Sequence, residues 1–227
     1  MTVRLLVADD HSVIREAIRM YLQTDPEIQL EGEARDGREA VELSRDLQPD
    51  VVLMDLLMPA MDGIEATRAI RSEMPHVEVV AMTTILESAA MPDAINAGAI
   101  ACVLKDTQPQ RLRHAILSAD AGQVAFFAND LQRSVAHLHV SDVSPGSLDR
   151  QQRDLLRLIA IGRSNEEMTR DLGVDLPVLR SRVEEVLLQL GMLGRAQALV
   201  YAVQHGIASW EETPALAVPP PADASQS

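Results

Sequence analysis

Three carboxylates, one hydroxyl and the chain's single lysine fall in four short stretches. These are VADDH (7–11), VVLMDLLMPAMDG (51–63), VVAMT (79–83) and VLKD (103–106). In each, the polar residue follows an apolar run: Asp9 and Asp10, Asp55, Thr83, then Lys105. Three carboxylates brought together repel one another unless a hard cation sits among them, and Mg²⁺ suits a few carboxylates plus water and phosphate oxygens. A carboxylate beside such an ion can act as a nucleophile toward a phosphoryl group. A hydroxyl and an ammonium flanking it would stabilise the equatorial oxygens in transfer. The other nineteen cationic side chains are all arginine. A compact ammonium meets one oxygen as a point charge, whereas a guanidinium demands a two-pronged partner and more room. On residue types alone, a structural or metal-storing carboxylate cluster and a phosphatase using an aspartyl phosphate remain alternative readings.

The positioning elements follow from hydrophobic patterning. Apolar runs at 3–8, 28–34, 51–55, 77–82 and 100–104 alternate with stretches of helical spacing such as Ile14, Ile18 and Leu22. Strand–helix alternation predicts βαβ crossovers and a parallel sheet with helices on both faces. Four runs are almost continuously apolar, as central parallel strands are. The run at 28–34 alternates, which suits an edge, and the order 2-1-3-4-5 follows. In such a sheet ligands bind outside the carboxyl ends of the strands, which is where all five polar residues fall.

These stretches resemble the receiver domain of two-component response regulators over residues 3–121, a flavodoxin-like doubly wound fold. The resemblance rests on the acidic pair Asp9–Asp10, on Asp55 ahead of Pro59 and Gly63, and on Thr83 and Lys105. It implies that Asp55 is the phosphoacceptor, phosphorylated by a histidine kinase. Asp10 and Asp55 would bind Mg²⁺ directly with the Leu57 carbonyl, and Asp9 would assist through water. Thr83 and Lys105 would contact the phosphoryl oxygens, so that catalysis is confined to the chain's own Asp55. One departure is Cys102, where many receivers carry an aromatic ring. The face formed by residues 87–121, with Arg111, Arg113 and His114, is expected to change packing and could meet an acidic partner.

Past residue 121 the pattern changes. Residues 122–147 read as a linker with a short helix near 129–137, ending in SPGS. Residues 148–208 show helical spacing, with helices expected at 149–161, 165–172, 176–190 and 195–205. This segment resembles the LuxR-type helix-turn-helix domain, a small all-α unit, through GRSNEEM (162–168) and the helix begun by Asp175 and Pro177. The resemblance implies binding to double-stranded DNA, with Arg163, Arg170, Arg180, Ser181, Arg182 and Arg195 as candidate contacts. A homodimer on activation is expected, since paired half-sites call for two copies, and the apolar face of 195–205 is either core or dimer seam. Glu166, Val178 and Glu184 replace residues that are usually basic or hydroxylic. With Arg180 and Glu184 one turn apart they can neutralise each other. With Leu188, expected on the outward face of the same helix, they motivate an alternative in which the helical domain engages a protein instead of DNA.

The net charge of −14 argues against a simple nucleic-acid binder, but the acidity lies in the first 120 residues and in the tail, while 148–210 is neutral. Aromatic residues make up 2% of the chain, so the cores must be built from Leu, Val, Ile, Ala and Met. One cysteine excludes an internal disulfide and fits a reducing compartment. No run reaches the ~18 apolar residues of a membrane span. The chain is expected to be cytoplasmic, with residues 209–227, rich in Pro and Ala, disordered.

Overall fold

The computed structural model describes residues 2–84, 90–126, 138, 141 and 143–213. Five parallel strands, β1 (Val3–Ala8), β2 (Ile28–Ala34), β3 (Val51–Asp55), β4 (Glu78–Thr83) and β5 (Ala101–Leu104), lie in the order 2-1-3-4-5. The helices between them are α1 (Ser12–Leu22), α2 (Gly37–Leu47), α3 (Gly63–Glu73) and α4 (Ala90–Asn96), with α5 (Pro109–Asp120) following β5. Side chains alternate across each strand. On β1, Leu5 and Val7 pack with Ile18 and Leu22 of α1 and with Ile116 of α5. Leu6 and Ala8 face Val41 of α2 and Ile70 of α3 on the other side. The expected edge strand β2 carries a bulge, with Leu5 opposite Leu30 but Leu6 opposite Gly32. A Cβ at Gly32 would lie 2.8 Å from a terminal methyl of Leu47, so the glycine lets α2 pack close against the strand there.

Carboxylates start two of the helices. Asp36 accepts from the Glu39 amide at 3.0 Å and Asp62 from the Glu65 amide at 2.8 Å. Between Asp55 and α3 the chain turns sharply, and a Cβ on Gly63 would sit 1.9 Å from the Asp55 carbonyl oxygen. That approach brings the loop back under the end of β3.

The C-terminal region holds α6 (Arg150–Ala160), α7 (Asn165–Leu172), α8 (Leu176–Gln189) and α9 (Arg195–Gln204). Asp149 with Gln152, and Ser164 with Glu167, form capping boxes at the starts of α6 and α7. The turn between α7 and α8 uses Gly173 at φ 64°, a left-handed helix stop that glycine adopts without a Cβ penalty. Asp175 then caps α8 through the Val178 amide at 3.0 Å. The apolar face of α9 is core: Leu199 and Val200 are fully buried with Leu155, Leu156 and Ile159 of α6. The expected linker helix near 129–137 and residues 214–227 of the expected disordered tail lie outside the described residues, but the start of that tail is ordered: Trp210–Glu212 form a short 3-10 helix in which Glu212 pairs with Arg157 of α6.

The two regions are docked at the amino ends of the strands. Asn165 donates from its backbone to the Ala121 carbonyl at 2.7 Å and from its side chain to Asp120 O at 3.2 Å. Arg195 reaches Gly122 O at 2.9 Å and Asn165 Oδ1 at 2.7 Å, and Arg71 donates to Leu193 O at 3.0 Å. A Cβ on Gly194 would meet the Gly98 carbonyl oxygen at 2.5 Å, so the backbones touch there.

Candidate functional site

The carboxyl ends of β1, β3, β4 and β5 bring the five polar residues to one rim. Asp9 is fully buried, its amide tied to Ala34 O at 3.1 Å beyond β1. Asp55 is the last residue of β3 and is 1% exposed. Thr83 closes β4, and the Lys105 amide donates to its carbonyl at 2.8 Å. The Lys105 ammonium stands 2.7 Å from Asp55 Oδ2 and 2.9 Å from Asp9 Oδ2. Its short reach between two carboxylates on neighbouring strands is the point-charge role that a planar guanidinium would not fill.

The remaining oxygens are held by backbone. Leu57 N–H donates to Asp55 Oδ1 at 3.1 Å and His11 N–H to Asp9 Oδ1 at 2.8 Å. Burial pushes the Asp55 carboxyl above its ordinary pKa against the opposing pull of Lys105 and the Leu57 amide, and the Asp9 charge adds to the rise. Burial alone would lower Lys105, but its hydrogen bonds to Asp55 and Asp9 prevail and hold it above the ordinary value. Three carboxylates face one ammonium. The ligand atoms of Asp9, Asp10, Asp55 and His11 all lie within 4.8 Å of one another. This donor set is rich in oxygen and leaves a negative excess, which fits a hard divalent cation.

His11 is the member that motif reading passed over, although it stands next to Asp10 in the sequence. Its Nδ1 is 2.6 Å from Asp10 Oδ1 and 3.3 Å from Asp9 Oδ1. Cys102 is buried in β5, where it lines a cavity of about 60 Å³ with Ala115 of α5. Of the cations expected on that face, Arg113 is engaged by acids of the loop between α1 and β2: it pairs with Asp25 at 2.6 Å and with Glu27.

The candidate DNA contacts do not form one basic surface. Arg163 pairs with Glu167 at 2.8 Å and Asp171 at 3.6 Å, and Arg170 with Glu166 at 2.7 Å. Arg180 lines the cleft between the two regions with Asp50, Asp120 and Glu184. Among the described residues it forms no ion pair with Glu184, so the expected neutralisation within the helix is replaced by a shared cleft. Ser181 is exposed and Arg182 half-buried. Arg195 corrects the expectation most clearly. It is 4% exposed and spent on Gly122 and Asn165, because the receiver covers the start of α9.

Comparison with known proteins agrees with the topology. Residues 5–117 match the response regulator receiver domain. The chain is 32% identical over 207 residues to response regulator protein VraR of Staphylococcus aureus, covering 91% of this chain and 99% of that protein. Among solved structures, the signal receiver domain of NarL from Mycobacterium tuberculosis is 33% identical with a TM-score of 0.51, over 54% of this chain and 98% of that one. A LuxR-family two-component response regulator from Aurantimonas sp. SI85-9A1 is 35% identical with a TM-score of 0.54, over 60% and 97%. The chain belongs to the response regulators, as a receiver joined to a LuxR-type output domain. Membership of that family makes it a phosphorelay signalling protein. No helix among the described residues is long and apolar enough to cross a membrane.

Proposed function

We propose that Asp55 is the phosphoacceptor of this regulator. A histidine kinase presents a phosphoimidazole; an Asp55 oxygen attacks phosphorus, the P–N bond breaks as the P–O bond forms, and the imidazole leaves. Lys105 is drawn from the carboxylates to the incoming phosphoryl oxygens, and the Thr83 hydroxyl takes another. Asp9, Asp10 and Asp55, with the Leu57 carbonyl, would hold Mg²⁺, which when bound neutralises charge on the phosphoryl oxygens. Water later hydrolyses the acyl phosphate and restores Asp55, and no external substrate is turned over. The observation that carries this reading is the single Lys105 ammonium lodged between Asp9 and Asp55.

The output reading assigns residues 1–121 to the receiver, 122–147 to a linker and 148–208 to the DNA-binding unit, working in the cytoplasm, with 209–227 as a tail. Double-stranded DNA is read by the first turns of α8, where Arg180, Ser181 and Arg182 lie, by a homodimer on paired half-sites. Arg180 faces the receiver in the docked form, so binding requires the two regions to part. The test is incubation with Mg²⁺ and acetyl phosphate: an acid-stable, hydroxylamine-sensitive adduct at Asp55 is expected, absent in Asp55→Ala. Selection from random duplexes against the phosphorylated protein should return one half-site motif.

A second reading, in which the helical domain binds a protein, draws support from α8. Leu188 is 82% exposed and Val178 42% exposed there, while Arg163 and Arg170 are occupied by their own acids. Glu166→Lys with Glu184→Lys separates the two. Tight operator binding by the unmodified chain ends the second reading, whereas binding that appears only in the double variant ends the first.

A further inference from the structure

The rim carries one nitrogen donor for which the Mg²⁺ reading has no use. His11 follows directly on Asp10, and its Nδ1 points into the carboxylate cluster, 2.6 Å from Asp10 Oδ1 and 3.3 Å from Asp9 Oδ1. The ring is otherwise 65% exposed, so its orientation is set by the two carboxylates and not by core packing. Its backbone is fixed where it matters, because the same residue's amide donates to Asp9 Oδ1. The imidazole and the three carboxylates therefore offer four donor atoms within 4.8 Å. Asp9 and Asp55 each turn a buried Oδ2 inward, and the only cation reaching either among the described residues is the one ammonium of Lys105. Two buried carboxylates and a third at the surface leave a negative excess that one lysine does not cancel.

Donor chemistry then bears on which ion is preferred. An all-oxygen site suits Mg²⁺, which keeps its waters and gains little from nitrogen. Imidazole adds affinity for first-row transition ions, which rises from Mn²⁺ through Co²⁺ to Ni²⁺. We infer that His11 is a ligand of the acidic pocket and biases it toward Mn²⁺ and its later neighbours over Mg²⁺. The inference rests on the pocket being a divalent-cation site, as proposed above, and adds to it the identity of the cation.

The test uses the full-length chain and Mn²⁺ as probe. Binding is followed by the loss of the free-ion paramagnetic resonance signal, and Mg²⁺ is titrated as competitor. The pulsed spectrum of the bound ion is then examined for coupling to ¹⁴N. Unmodified protein should bind Mn²⁺ with clear nitrogen coupling. His11→Ala, a surface change, should lose that coupling and weaken Mn²⁺ about tenfold while changing Mg²⁺ competition less than about twofold. Asp10→Asn should abolish the coupled species, which excludes the chain's other histidines as its source. If His11→Ala keeps the coupling and the Mn²⁺/Mg²⁺ ratio, His11 is no ligand, and the magnesium reading stands without it. If unmodified protein binds neither ion at millimolar concentration, the divalent site itself is wrong.

Discussion

The two ends of one parallel sheet use cations in opposite ways. At the carboxyl ends, Lys105 stands between Asp9 and Asp55, touching each carboxylate with the same nitrogen. At the amino ends, two arginines converge on Glu78: Arg71 at 3.1 Å and Arg195 at 3.8 Å. These guanidiniums also spread over carbonyls and an amide of both regions, including Leu193 O, Gly122 O and Asn165 Oδ1. A point charge can exchange one oxygen for another without rebuilding its surroundings. A planar fork fixes two surfaces in register and loses several directed bonds at once when it leaves. The lysine end is built for a group that comes and goes, the arginine end for a joint.

Exchanging the cations would break that contrast if it is wrong. Lys105→Arg is expected to have the largest effect, slowing phosphoryl uptake at Asp55 by about 100-fold, since an oriented charge at a transferring group is worth that much. Intact-mass kinetics with acetyl phosphate would measure it, and limited proteolysis between the regions should be unchanged. A rate within a factor of about two of the unmodified chain would show that shape is not what the rim requires of its cation.

The reciprocal change is Arg195→Lys. Burial draws the Arg195 guanidinium below its ordinary pKa, and a lysine there, shorter and with all its donors on one nitrogen, would lose at least one of the bonds now made from two separate nitrogens to Gly122 O and Asn165 Oδ1. The lost bond and the acceptor left buried should cost about 2 kcal/mol, seen as earlier thermal unfolding and faster cleavage between the regions. Phosphoryl uptake should stay within about twofold, because the two ends share no partner. Slower uptake of the same size as for Lys105→Arg would mean that the ends are coupled even in the unphosphorylated chain.

The lysine end was legible in the sequence and the arginine end was not. Asp9, Asp55, Thr83 and Lys105 each follow an almost continuously apolar run, so the pattern of buried parallel strands and the rule for strand ends suffice to gather them. His11 was equally visible as the third residue of Asp-Asp-His, but motif reading stopped at the acids. Arg71 and Leu193 are 122 positions apart and meet only through docking of two separately patterned units. Nothing local distinguishes Arg195 at the start of a helix from a phosphate-binding arginine. Its burial is set by the Gly98–Gly194 backbone approach and by Glu78, which sequence spacing does not encode. The same holds for α9, whose apolar stripe has one pattern whether it faces α6 or a second copy.

The smallest expected effect concerns the acid that faces this joint. Asp120 ends α5, and burial raises its carboxyl above the ordinary value. Asp50 and Glu78 push the same way, while Arg180 and the N-terminus oppose them. In the docked form Asp120 therefore holds its proton to higher pH than in the unfolded chain. Below the unfolded value of about 3.8 both states are protonated and the stabilising contribution is complete. As pH rises through the folded value the docked chain must ionise a buried carboxyl, and that contribution is lost, leaving a penalty at neutral pH. Asp120→Asn removes the ionisation while Asn165 keeps its bond, since that bond is to the Asp120 backbone carbonyl. The variant should melt above the unmodified chain at pH 7, with the gap closing on acidification toward pH 4 in paired thermal melts. A gap independent of pH would mean that the joint is held by its arginine forks alone, with the charge of Asp120 playing no part.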